Sequence, residues 1–201
     1  MDLEELFGEV EKFGFDPITY QYFHQLLDKR TIILNEYVTD ATVEKVYLPL
    51  KEFEEDNSTD PVTLILNSCG GSVANGFYLA QYISLYSKPL NIIVPGMAAS
   101  MAGIILAGGG KNENVIRYGF PASYVLLHDG YVALEASESR TADDIMEFNK
   151  GVDTDIRDFI ITNTNITPEM YDSHARKQWF IKGQELIDLG MLDHLYGVDN
   201  K

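Results

Sequence analysis

The chain carries a single cysteine, Cys69, among its 201 residues. One thiol excludes an intramolecular disulfide and offers no metal-ligating spacing. Positive charge is also scarce: 15 Lys and Arg stand against 31 Asp and Glu, a formal net charge of −16. Such a surface repels phosphate backbones, which excludes nucleic acid as a partner, and its self-repulsion favours solubility. No apolar run reaches the roughly 18 residues that would suggest a membrane span. The opening MDLEELFGEV is acidic and lacks the basic-then-apolar form of an export signal. These absences set the expectation of a soluble, cytoplasmic protein without membrane contact. At 201 residues, 45% of them hydrophobic, the chain is expected to form one domain, 1–201, with a substantial core.

What is present is an alternation of β-prone runs and helical periodicity. Thr31 to Leu34 reads as a strand preceded by a short helix within ITYQYFHQLLDKR. Val43, Val46, Leu50 and Phe53 recur at helical spacing until EEDNSTDP breaks the pattern. VTLIL (62–66) and LNIIV (90–94) are continuous apolar runs, and each is followed by a glycine-bearing turn and a helix. PGMAAS reads as a turn, SMAGIILAGG as a helix of small residues, and SYVLLHDG (123–130) as the start of another buried strand. Strand, helix and strand at this spacing imply right-handed crossovers and a largely parallel sheet covered by helices. From about 139 to 163, Ile145, Phe148, Val152, Ile156, Phe159 and Ile160 mark a long amphipathic helix. A short helix follows, with Thr167 as N-cap and Pro168 in its first turn.

Three turns fall together at the carboxyl edge of such a sheet, where ligand sites of α/β proteins gather. VPGMAASMAG places Ser100 where a strand turns into a helix, among small residues that leave room for a substrate. The helix N-terminus aims free amides at a developing oxyanion. NSCGGSV supplies Gly70 and Gly71, whose backbone can approach a substrate closely. His128 ends the next strand and can take the Ser100 proton, then return it to a leaving amine. Taken singly, a glycine pair is a tight turn, a strand-end histidine is structural, and a serine before a helix is a cap. The three on neighbouring turns form a candidate site for nucleophilic chemistry.

These blocks, ILNSCGGSVANG, VPGMAASMAGIILAGG and SYVLLHDG, together with the tail FIKGQELIDLGMLD, resemble the ClpP family, the proteolytic subunit of the ATP-dependent Clp protease. The likeness runs from about Tyr20 to Asp193. It implies a ClpP/crotonase-like α/β fold of repeated ββα/βαβ units, with a mostly parallel sheet and the long helix as the family's handle. It also implies Ser100 as nucleophile, His128 as general base, and the amides of Gly71 and Met101 as an oxyanion hole. Ser72 and Val73 match a strand edge that pairs with an extended peptide, a form of β-augmentation. Two stacked heptameric rings are implied, enclosing a chamber for unfolded polypeptides, with a AAA+ unfoldase that spends ATP; the chain itself needs no cofactor or metal. The first 20 residues match no feature of the family.

Two positions depart from the family pattern. Cys69 stands where proline is usual, and its neighbours point to a turn role rather than a rival nucleophile. The third triad position, normally aspartate, falls on Gln178. A neutral amide can accept the imidazole proton and hold its tautomer, but it brings no charge to stabilise imidazolium. Asp172 on the preceding helix is a possible substitute. Gln178 also leaves room for a second expectation, a weakly active or inactive subunit of a mixed ring. A third, a crotonase-like acyl-CoA enzyme, has no need of a serine and histidine pair.

Overall fold

The computed structural model describes residues 26–128, 139–174 and 177–198. The N-terminal segment 1–20, the start of the helix expected before Thr31, and residues 129–130 of the histidine block lie outside the described residues. Strand β1 (Thr31–Leu34), β2 (Val62–Leu66) and β3 (Leu90–Val94) form where the β-prone runs predict them. With β5 (Val115–Gly119) and β8 (His194–Leu195) they build a five-stranded sheet of order β1-β2-β3-β5-β8, parallel at every pairing. Both faces of such a sheet are covered, which is why its strands read as continuous apolar runs.

Helix α1 (Asp40–Glu55) opens with a reciprocal capping box between Thr39 and Thr42. Helix α2 (Val73–Ser84) follows β2, and α3 (Met101–Gly108) is buried along its whole length. The small residues of α3 answer to that burial, since α2 packs directly upon it. The turn expected at PGMAAS is partly a strand. Met97–Ala99 forms β4, which pairs in parallel with β6 (Tyr124–Leu127), and β6 pairs antiparallel with β7 (Trp179–Lys182). This second sheet, of order β4-β6-β7, carries the residues on either side of the candidate site.

Helix α4 (Ser139–Asn163) has the predicted extent. Its apolar stripe divides into two parts. Ile156 and Ile160 enter the core, Val152 and Phe159 pack against it, and the Phe159 ring meets Phe77 edge-on at 5.2 Å. Ile145, Met146 and Phe148 are exposed, Phe148 by 71%. A handle helix between rings would set Ile145, Phe148, Val152, Ile156 and Phe159 against a neighbouring subunit; the structure corrects this for the last three, because the C-terminal half of the helix covers this chain's own core. Thr167 caps α5 (Pro168–His174), its Oγ1 accepting from Met170 N at 3.2 Å. After β7, the short α6 (Gln184–Asp188) leads to β8.

Arg117, in the middle of β5, is 1% exposed. Its Nη2 and Nε donate to the two Asp193 carboxylate oxygens at 2.7 and 3.1 Å, and its Nη1 donates to Gly190 O at 2.7 Å. The Arg117 amide also donates to Asp193 at 2.7 Å, so side chain and backbone clamp the C-terminal segment to the sheet. No helix among the described residues is long and apolar enough to cross a membrane.

Candidate active site

Ser100 stands between β4 and α3 with φ 53° and ψ −125°. A non-glycine residue rarely adopts this conformation, and such strain persists only where the surroundings enforce it. Here the enforcement is visible. The Ser100 amide donates to Leu126 O at 2.8 Å, and its carbonyl accepts from Gly103 N at 2.9 Å. Although Ser100 occupies the N-cap position, its side chain makes no capping hydrogen bond. Ser72 shows the contrast: its Oγ accepts from Asn75 N and caps α2. The Ser100 hydroxyl is thus half-buried and not engaged by the helix that it precedes. This is the geometry of a strand–turn–helix nucleophile.

The glycine turn packs directly beneath that elbow. A Cβ on Gly70, whose φ is +92°, would lie 2.7 Å from Ser100 Cβ and 2.8 Å from Met101 N. Glycine is required there for the two turns to touch. A Cβ on Gly71 would lie 2.3 Å from Val38 O. Ser68 holds the turns in register. Its amide donates to Met97 O at 3.1 Å, its carbonyl accepts from Ala99 N at 2.9 Å, and its hydroxyl donates to Glu36 O. Met101 opens α3, where first-turn amides have no partner within the helix.

A narrow cavity brings Ser100 and His128 together, lined by Val73, Met101, Ile104 and Leu127 from one side. Its remaining lining comes from Asp153, Ile156 and Ile160 of α4 and from Tyr171 of α5. Of the residues expected from sequence, Ser100, Met101, His128 and Val73 line this space. Ser72 and Val73 do not form the expected strand edge: they are the N-cap and first residue of α2, and the Ser72 amide already donates to Val38 O at 2.7 Å. Cys69 is exposed and is not among the lining residues.

Gln178 is exposed just before β7 and is not among the lining residues either. The antiparallel register nevertheless bears on it. Leu126 pairs with Phe180 and Leu127 with Trp179, so one further step along the ladder sets Gln178 across from His128. Asp172 is engaged elsewhere, accepting from Arg157 Nε at 2.6 Å and Nη2 at 2.8 Å. Hydrogen bonding to Asp172 leads the causes that raise the Arg157 pKa above its ordinary value.

Asp153 is the lining residue that sequence reading passed over. The apolar stripe of α4 draws the eye, and a carboxylate beside it reads as part of the solvated face. The signal was its spacing, since Asp153, Ile156 and Ile160 follow i, i+3, i+7 and share a face. Among the described residues, no group of three or more His, Cys, Asp or Glu is arranged to hold a metal ion.

Comparison with known proteins agrees with this architecture. Residues 16–199 match the family model described as Clp protease. The chain is 28% identical over 193 residues to the ATP-dependent Clp protease proteolytic subunit 1 of Shouchella clausii (strain KSM-K16), an alignment covering 94% of this chain and 96% of that protein. With an α/β fold built on a mostly parallel sheet and a family match over nearly its whole length, the chain belongs to the Clp protease family.

Proposed function

We propose that the chain is a serine-type endopeptidase subunit, with Ser100 as nucleophile and His128 as general base. The observation that carries this reading is the strained Ser100 elbow, whose hydroxyl caps no helix and shares a cavity with His128. As Ser100 Oγ attacks the scissile carbonyl, its proton passes to His128, and the amides of Gly71 and Met101 receive the developing oxyanion. Breakdown of the tetrahedral intermediate returns the proton to the leaving amine, and water then releases the acyl group by the same relay. Val73, Ile104, Leu127, Ile156 and Ile160 give the cavity apolar walls that suit an apolar side chain next to the scissile bond. A fluorophosphonate probe tests the assignment: it is expected to modify Ser100, located by peptide mass spectrometry. Modification at Cys69 instead would overturn it.

In this reading the substrates are unfolded polypeptides, and the subunits form two stacked heptameric rings around a cytoplasmic chamber fed by a AAA+ unfoldase. ATP is spent by that partner, and this chain uses no cofactor. The exposed Ile145, Met146 and Phe148 on α4 supply the contact to the opposite ring. Phe148→Glu is expected to split the double ring, because assembly would bury an unpaired carboxylate. The free subunit should keep its stability, since Phe148 is exposed there. Sedimentation velocity reads the outcome, and a parental protein that stays monomeric at micromolar concentration would refute self-assembly.

Gln178 favours a second reading, a slow subunit in a mixed ring, because an amide adds no charge beside His128. Gln178→Glu keeps the side-chain length and adds the anion, so acylation of Ser100 should quicken, while Gln178→Ala should slow it. We expect each change to be on the order of tenfold, the equivalent of about 1.4 kcal/mol in the barrier. Labelling rates at several probe concentrations decide this, and parental rates in both variants would place Gln178 outside the relay.

A further inference from the structure

We propose that Asp153, on the long helix α4, is a positioning residue for His128 and supplies the negative charge that Gln178 lacks. The proposal rests on the assignment of Ser100 and His128 given above. Asp153 is the carboxylate that lines the cavity holding both residues. The other described acids of α4 and α5 stand outside that cavity. Asp155 and Asp158 line a separate groove with Phe77 and Gln81, Asp172 accepts two hydrogen bonds from Arg157, and Asp144, Glu147 and Glu169, exposed as Asp153 is, are not among its lining residues. Tyr171 is the other titratable side chain in the cavity wall besides His128 and Asp153, and Lys177 and Gln178 stand at the head of β7.

The chemistry follows from charge and surroundings. When Ser100 attacks, a positive imidazolium forms at His128 within walls made by Ile104, Leu127, Ile156 and Ile160. Asp153 is exposed on α4 and borders this space, and a carboxylate beside an imidazole favours its charged form. Asp153 takes no proton; it favours the charged state through which the proton passes. Its place on α4 also makes catalysis depend on how that helix is seated.

The test uses the full-length assembled protein and a fluorophosphonate probe. During labelling, Ser100 Oγ forms the new bond to phosphorus, the phosphorus–fluorine bond breaks, fluoride leaves, and the serine proton goes to His128. Asp153→Asn preserves shape and removes the charge. It is expected to lower the limiting rate of labelling about tenfold while leaving the probe concentration for half-saturation unchanged. Asp153→Glu should recover most of the rate. A merely structural role would change half-saturation or ring size and would not be rescued by glutamate. Parental labelling with an unchanged limiting rate in Asp153→Asn overturns the proposal. Absence of labelling at Ser100 in the parental protein overturns the peptidase reading itself, so the two failures are told apart.

Discussion

Ser100→Ala is expected to abolish covalent labelling and to reduce peptide hydrolysis on the order of 10⁶-fold in kcat, the scale of loss when a serine-protease triad loses its nucleophile. The fold should be untouched. Every hydrogen bond that shapes the elbow is a backbone bond: the amide to Leu126 O, and the carbonyl to Gly103 N and Ile104 N. Alanine keeps them all, and it meets the same strain at φ 53° that serine does. The hydroxyl contributes no cap to α3, so no helix stability is lost with it. Peptide hydrolysis at the parental rate in this variant would remove Ser100 from the mechanism. Cys69→Ser serves as the control and should retain labelling at Ser100.

Arg117→Ala carries the largest expected effect on stability. The guanidinium is buried in β5 and makes three hydrogen bonds to Asp193 and Gly190. Removing it leaves the Asp193 carboxylate, with a side-chain exposure of 35%, facing a void where its partner stood. Breaking a buried ion pair from one side costs about 3–5 kcal/mol, and the partial exposure of Asp193 favours the lower end. For a chain of this size that corresponds to a fall in Tm of roughly 6–12 °C. The measurement is urea unfolding, where the midpoint should drop. Arg117→Met, which fills the volume without the charge, separates packing from the ion pair when combined with Asp193→Asn. A midpoint within error of the parent in Arg117→Ala would show that the clamp contributes nothing.

The parts of this fold that were legible in sequence are those where one physical signal dominates. VTLIL and LNIIV have continuous apolar character because both faces of the parallel sheet are covered, and both strands begin and end where those runs do. The long helix was legible because 25 residues keep one period. By contrast, Met97–Ala99 looks like a turn, since alanines next to a glycine carry no strand signature. It pairs as β4 only because β6 lies alongside. Strand β5 escaped notice because Arg117 interrupts its apolar run, and the compensating Asp193 lies 76 positions away. Ser100, His128 and the glycine turn were readable as a group because each comes shortly after a recognisable apolar run, LNIIV, SYVLL and VTLIL respectively. Asp153 was not, because its meaning depends on how a helix from the second half of the chain lies across the first. Periodicity likewise gave the stripe of α4 as one surface, whereas its two halves have different neighbours.

The two sheets divide the proposed catalytic parts between them. Ser100 and His128 continue from adjacent strands of the small sheet, joined through the Ser100 amide and Leu126 O, so they travel as one body. Gly71 belongs to the turn that leaves the large sheet, and the Ser68–Ala98 bridge ties that turn to β4. A sliding displacement of one sheet past the other would therefore leave the nucleophile, its base and the Met101 amide correctly spaced while drawing the Gly71 amide out of line. Such an enzyme would be weakened at the seam with its proton relay intact. Realigning one bridge of two backbone hydrogen bonds would then restore it.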